Sequence, residues 1–430
     1  MKKIDVTVIM PSLNVCDYIE KAVRSVMEQT LENIEILCVD AGSTDGTLEI
    51  LQALAKEDSR IQIINSQIKS YGYQLNLAIS LAKGEYIGVV ETDDYISKDM
   101  YRCLFDVAIA QNCDIVKGNY KSYFLQEGDL YFINRANVLN KMLYSKPLRP
   151  IDYTSLSISD WYLWSGIYRR NFLLDNKIKF SETPGAAFQD IGFINRTNIA
   201  SQKSIYLEDY FYFYNIDRPD SSSNSGRGFE YCYNEYSSLL SESWEKAALS
   251  IIYARMCKLL STMIKGITSE EVKNEKIAGY YKWFADKVQC AINEGIVSAD
   301  NIPNKIWNQI FPVPSTVEEA FELKNSHINA VLDLCGQPGE NEIIIFGCGS
   351  YGCMIWDYLS KLNYDIVAFS DNNEALWNTT LYNLPIISPQ NIDAMSSNRR
   401  IIIANELYYM QIQQQLLEMG IPKEKIGVYH

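Results

Sequence analysis

The residues best suited to chemistry carry oxygen and sit where apolar runs end. Glu91-Thr92-Asp93-Asp94 follows the run from Tyr86 to Val90. Two carboxylates one residue apart at the end of a buried strand can share one divalent cation, because Mg2+ and Mn2+ take hard oxygen ligands and complete their shells with water and phosphate. Glu91 and Asp93 fit that geometry, and Asp94 can add a further contact, but acidic residues after a strand more often make a solvated turn or cap the next helix. Pro11-Ser12-Leu13-Asn14 and Asp40-Ala41-Gly42-Ser43-Thr44-Asp45-Gly46 also follow apolar runs. The chain has two histidines, His327 and His430, so acid-base work is expected to fall to carboxylates.

The elements that must hold these residues alternate between strand and helix. Ile4 to Met10 reads as a buried strand, and Ile19, Ala22, Val23, Val26 and Met27 then recur on one helical face. Ile34 to Val39, Ile61 to Ile64 and Tyr86 to Val90 read as further strands, with a helix from Leu48 to Ala55. This alternation predicts an α/β fold with a mostly parallel sheet, which binds ligands beyond the carboxyl ends of its strands. All three polar clusters fall there.

The order of these motifs resembles the family 2 glycosyltransferases of GT-A fold, continuously from residue 5 to about 100. It is carried by Val8-Ile9-Met10-Pro11-Ser12-Leu13-Asn14, by Glu35 through Thr47, and by Gly84-Glu85-Tyr86-Ile87 before the acidic cluster. The resemblance implies that Pro11, Ser12, Asn14 and Asp40 meet the donor nucleoside, that Asn76 lies near the donor, and that Glu91 and Asp93 hold Mn2+ or Mg2+ and the diphosphate. Leu13 replaces the usual aromatic, Ala41 a common second aspartate, and Glu91 the usual first aspartate of the metal motif.

Trp164 through Arg170, Phe180-Ser181-Glu182 and Phe188-Gln189-Asp190 resemble the acceptor-side stretch of the same family. There the resemblance implies Asp190 as the catalytic base, with Gln189 where glutamate is usual and Glu182 as the runner-up. Arg218 either meets the diphosphate or pairs with a carboxylate. The implied activity is metal-dependent, inverting transfer from a nucleotide sugar, UDP-linked by analogy, to a glycan or lipid-linked acceptor in cell-surface polysaccharide synthesis. A non-catalytic nucleotide-sugar-binding scaffold, marked by Leu13, Ala41, Glu91 and Gln189, is one alternative. An NAD-linked oxidoreductase centred on Gly347 is another.

Residues 120 to 225 are aromatic-rich and less regular, and 228 to 335 carry helical patterns. After the linker-like Gly336-Gln337-Pro338-Gly339, Gly347-x-Gly349-x-x-Gly352 follows a second apolar strand and opens a helix, with Asp371 closing the next strand. A nucleotide at that helix start is physically reasonable. Roughly ninety residues are too few for a full dinucleotide domain plus a catalytic one. The stretch resembles the small Rossmann-like domain found beside sugar acetyltransferases, which implies a second nucleotide site at Gly347, Gly349, Gly352 and Asp371. Glycines that only let helix pack on strand are the other reading. The expected organisation is therefore a GT-A domain at 1–225, a helical region at 226–335 and a Rossmann-like α/β domain at 336–430.

A length of 430 residues calls for two or three domains, and a net charge of -14 without a basic patch argues against nucleic acid. Ten cysteines at irregular spacing, with no C-x-x-C and no signal-like opening segment, are expected to be reduced and cytoplasmic. No apolar run stands out as a membrane span, so attachment is expected to be peripheral at most, at the inner face of the cell membrane. Oligomeric state has no sequence signal.

Overall fold

The computed structural model describes residues 3–126, 129–138, 140–217, 228–392, 398–405 and 408–429; Arg218 and the serine-rich turn after it lie outside them. The described chain forms two compact units. One comprises Met1–Leu260 with Gly279–Trp307, the other Ser261–Ala278 with Asn308–His430.

The first unit is built on a nine-stranded mixed sheet. Its strands are β1 (Val6–Ser12), β2 (Ile34–Asp40), β3 (Ile61–Asn65), β4 (Tyr86–Val89), β5 (Tyr95–Ile96), β6 (Ile115–Gln126), β7 (Asp129–Arg135), β8 (Gly166–Arg169) and β9 (Ser204–Asn215). Their order is β3-β2-β1-β4-β8-β6-β9-β5, with β7 added on β6. The first four run parallel, as the alternating pattern predicts. Every residue of β1 and β2 is buried, which suits strands covered on both faces and explains their unbroken Val and Ile content.

The other half of the sheet departs from the expected parallel arrangement. β8 runs antiparallel to both β4 and β6, while β6 and β9 are twelve-residue strands paired parallel through the stretch that reads as irregular. Tyr and Phe make up half of β9 and a quarter of β6, and such rings favour a pleated, half-buried surface even where no apolar-polar alternation marks it.

Helices alternate with these strands and follow them along the chain. They are α1 (Ile19–Met27), α2 (Thr47–Glu57), α3 (Tyr71–Leu81), α4 (Met100–Gln111), α5 (Thr154–Ser159), α6 (Arg170–Asp175), α7 (Asp190–Ala200), α8 (Gly228–Leu240) and α9 (Lys246–Gly266). α1 buries Ile19, Ala22, Val23 and Val26, the apolar face legible in the sequence. Ile19, Val23 and Val26 each contribute about 1.5–3 kcal/mol when fully buried, and Ala22 less. By length and composition α9 could cross a membrane, with a mean hydropathy of 1.4, against the expectation that no segment would; two thirds of that stretch is buried in protein, as in a core helix.

The second unit carries a six-stranded sheet, β12-β13-β11-β10-β14-β15. The strands are β10 (Glu342–Phe346), β11 (Asp365–Ser370), β12 (Thr380–Leu381), β13 (Leu384–Ile387), β14 (Arg399–Ile403) and β15 (Ile426–Val428). All are parallel to their neighbours except β12.

Candidate active site

Register brings the polar strand ends to one rim. Ser12 pairs with Asp40, and Asp40 with Asn65. β1 runs two residues further than the sequence suggests, so Pro11 and Ser12 are buried strand residues rather than loop. The Pro11 carbonyl accepts from Thr92 Oγ1 at 2.9 Å, joining β1 to the acidic turn. Gln74 of α3 donates to the carbonyls of Ser12 at 3.1 Å and Val39 at 2.6 Å from underneath.

The loops after β1 and β2 are laced together. Both oxygens of buried Asp40 accept from the Ser43 amide, at 3.0 and 3.1 Å. Asn14, in the left-handed region at φ 52°, accepts from the Thr44 amide at 2.9 Å, and its own amide donates to Ser43 Oγ at 2.9 Å. Asp45 accepts from Thr47 and from the Cys16 amide, and these hydrogen bonds hold its carboxyl well below the usual carboxylate range.

The acidic cluster divides. Glu91 and Asp93 are half-buried, whereas Asp94 is buried and turned inward. Asp94 accepts from the Tyr212 hydroxyl at 2.8 Å and the Asn215 amide at 2.7 Å, and burial beside Asp93 pushes its carboxyl well above the usual range. The Tyr212 oxygen also accepts from the Glu91 amide at 3.0 Å, so one ring on β9 fixes both ends of the turn. Glu91 accepts a short hydrogen bond from the Tyr71 hydroxyl at the start of α3. Among the described residues no group of three His, Cys, Asp or Glu forms a complete metal cage. Two carboxylates on one turn instead fit a cation that takes its remaining ligands from phosphate and water, the usual arrangement for Mg2+.

Asp190 opens α7 from a half-buried position. Its carboxyl is packed among protein atoms, and burial pushes it up to about 6; the amides of the helix start, Arg255 and Lys117 pull the other way. Tyr71 lies within electrostatic reach of both Asp190 and Asp93, so the sheet end and the start of α7 converge on one ring. Gln189 is buried, and its amide donates to Thr183 and to the Gly185 carbonyl at 3.1–3.2 Å, bonds that a glutamate could not make.

Asn76 is occupied by chain-to-chain contacts. Its amide nitrogen donates to the Phe180 carbonyl and to Glu182 Oε1, both at 2.9 Å, and its oxygen accepts from the Phe180 amide at 3.0 Å. It ties α3 to the loop leading to Asp190. Glu182 is exposed and engaged with Asn76.

Several residues around Asp190 have no motif in the sequence. Fully buried Lys117 pairs with Asp160 at 2.6 Å, and Asp160 also accepts from Tyr206 at 2.8 Å. Arg255 of α9 is fully buried, finds no hydrogen-bond acceptor among the described residues, and lies 5.7 Å from the Trp161 ring centre. Glu235 of α8 is buried against the first turn of α7, which pushes its carboxyl up to about 7. These contacts join residues tens of positions apart, and only the fold reveals them.

In the second unit, Asp371 accepts from the Cys348 amide and the Asn373 amide, both at 2.9 Å, closing the glycine-rich turn on itself. A Cβ on Gly352 would lie 1.9 Å from the Gly347 carbonyl oxygen, and one on Gly347, at φ 119°, 2.6 Å from the Ala404 oxygen; Gly349 faces open space.

A mixed sheet with an acidic turn after its fourth strand defines a nucleotide-sugar transferase fold. The sequence family described as glycosyl transferase family 2 matches residues 7–186, and the chain belongs to it. Glycosyltransferase GlyG of Streptococcus pneumoniae serotype 4 is 30% identical over 49% of this chain and 70% of its own length. The poly(ribitol-phosphate) beta-glucosyltransferase of Bacillus spizizenii is 29% identical over 50% of this chain but only 32% of its own. The structure of S. aureus TarS 1–349 in complex with UDP-GlcNAc superposes with a TM-score of 0.58 at 18% identity, over 76% of this chain and 92% of that one, and shares the GT-A fold. Residues 339–427 match a family described as C2185-like, N-terminal.

Proposed function

We propose that the chain is an inverting, metal-dependent transferase that moves a sugar from a UDP-sugar to a glycan or lipid-linked acceptor in cell-surface polysaccharide synthesis. The observation that carries this reading is Tyr71, which hydrogen-bonds Glu91 and lies within electrostatic reach of both Asp93 and Asp190. The choice of UDP follows the ligand of the TarS complex, and the cell-surface setting follows the name of the poly(ribitol-phosphate) relative.

Inversion needs one base. An acceptor hydroxyl oxygen attacks the anomeric carbon, the bond from that carbon to the diphosphate breaks, and UDP leaves with the bond electrons. Asp190 takes the acceptor proton. A carboxyl lifted to about 6 is still ionised at neutral pH yet more basic than an ordinary aspartate, which suits that role. Glu91 and Asp93 would hold Mn2+ or Mg2+, which supplies positive charge at the leaving diphosphate. We place this activity on the cytoplasmic side of the membrane.

Calorimetry with UDP and GDP, with and without Mn2+, tests the reading. UDP binding that strengthens with Mn2+ is expected in the intact chain and not in Asp93→Ala. Binding of neither nucleotide under any condition would leave a degenerate, non-catalytic member of the family.

A further inference from the structure

Beside the acidic turn stands a wall of aromatic rings. Buried Trp164 stacks on Tyr212 with ring centres 4.0 Å apart and planes 18° apart, on Tyr162 at 4.8 Å and 30°, and on Tyr214 at 5.5 Å and 22°. Tyr120 meets Tyr162 and Trp164 edge-on at 4.8 and 5.0 Å. Alternation along β9 puts Tyr212 and Tyr214 on this side, while Phe213 turns away to stack on Tyr95 at 4.5 Å.

The wall is anchored at both ends to groups of the candidate site. Tyr212 bonds Asp94 and the Glu91 amide, and Tyr214 lies within electrostatic reach of Asp94, Asp93 and Glu91. At the other end the Tyr162 carbonyl accepts from Lys117 Nζ at 3.0 Å, and Lys117 is within electrostatic reach of Asp190. Trp164, Tyr212 and Tyr120 are buried, whereas Tyr162 and Tyr214 are half-buried, so the surface that solvent reaches belongs to those two.

We propose that Tyr162 and Tyr214 form a stacking platform for a pyranose ring of the acceptor, held between the Glu91–Asp93 turn and Asp190. The inference rests on the transferase reading above and narrows its acceptor to a glycan. A pyranose presents a face of C–H bonds whose slight positive charge meets the negative face of an aromatic ring, while its rim hydroxyls point outward to hydrogen-bonding groups. Aromatic lining with a few convergent polar groups is the usual make-up of a small-molecule site. An acyclic polyol has no such face.

Saturation-transfer NMR on the full chain, with methyl β-glucopyranoside, methyl β-galactopyranoside and methyl N-acetyl-β-glucosaminide as probes and ribitol as the acyclic control, tests the platform. At least one pyranoside should bind and ribitol should not. Binding should weaken about 5- to 10-fold in Tyr214→Leu and Tyr162→Leu, the range expected for an aromatic stacking contact. Tyr214→Phe, which keeps the ring, should retain it. Leucine keeps apolar volume, and circular dichroism with a UDP titration shows whether each variant is folded.

Equal pyranoside binding in folded leucine variants, ribitol binding as well as the pyranosides, or no pyranoside binding at all overturns the platform. Displacement of the pyranoside by UDP-GlcNAc but not by UDP would assign the rings to the donor sugar and overturn it too. Absence of UDP binding with ring-dependent pyranoside binding would instead count against the transferase reading alone.

Discussion

The Tyr71 hydroxyl donates its hydrogen bond to Glu91, linking the start of α3 to the turn after β4. A hydrogen bond to a charged group contributes about 1.5–3 kcal/mol, enough to fix which way the carboxylate faces. Tyr71→Phe keeps the ring and removes that bond. The expected result is about a tenfold or greater rise in the Mn2+ concentration needed for half-maximal activity, in a protein that remains folded. An unaltered Mn2+ titration would detach Tyr71 from the metal site.

Asp93 and Glu91 should respond differently to substitution. Asp93→Ala removes a half-buried carboxylate whose neighbour Asp94 is committed to Tyr212 and Asn215 and cannot take over its role. Metal-dependent UDP binding and turnover should be lost in a folded protein. Glu91→Asp keeps the charge, and its cost is the Tyr71 contact that the shorter side chain no longer reaches, so a loss no larger than that of Tyr71→Phe is expected. Near-native turnover of Asp93→Ala at ordinary metal concentration would sink the assignment.

For Asp190 the pH profile separates chemistry from binding. The base works only when ionised, so with its carboxyl at about 6 turnover should be full above neutrality and fall through about pH 6 as acid is added. Asp190→Asn should lower kcat by a factor on the order of 10² or more while leaving UDP affinity nearly unchanged. Arg255 favours the ionised form of Asp190, so Arg255→Gln should move the acid limb to higher pH. Loss of UDP affinity in Asp190→Asn, or an acid limb indifferent to Arg255, would recast the carboxylate as structural.

What the sequence made legible was the part of the site set by local pattern. Apolar runs located β1, β2 and β4, and the polar residues that end them meet at one rim because parallel strands in register align their carboxyl ends. The contacts that orient those residues are long-range. Tyr212 reaches Asp94 across 118 positions, and Asn76 reaches Phe180 across 104. Neither Tyr nor Asn carries a periodicity that names its partner. β6 and β9 are hidden in the sequence for a related reason: their rings belong to a wall completed only when the strands pair.

The glycine-rich turn of the second unit yields a prediction that separates packing from ligand approach. A methyl group on Gly352 would sit 1.9 Å from the Gly347 carbonyl oxygen, a backbone atom that cannot swing aside, so the helix beginning at Ser350 and the turn before it would have to move apart. On Gly349 the same methyl meets nothing within 4 Å. Gly352→Ala should therefore destabilise the second unit by about 1–3 kcal/mol, the usual cost of forcing atoms into a packed space, while Gly349→Ala should melt like the parent chain. Thermal denaturation followed by circular dichroism measures both. If Gly349→Val is equally stable but abolishes a metal-independent nucleotide site detectable by calorimetry in the parent, the turn serves a ligand as well as packing. If the parent binds no nucleotide there, the glycines are explained by the Gly347–Gly352 approach and by Asp371 closing on the Cys348 amide. Equal melting of Gly352→Ala and Gly349→Ala would contradict that packing account.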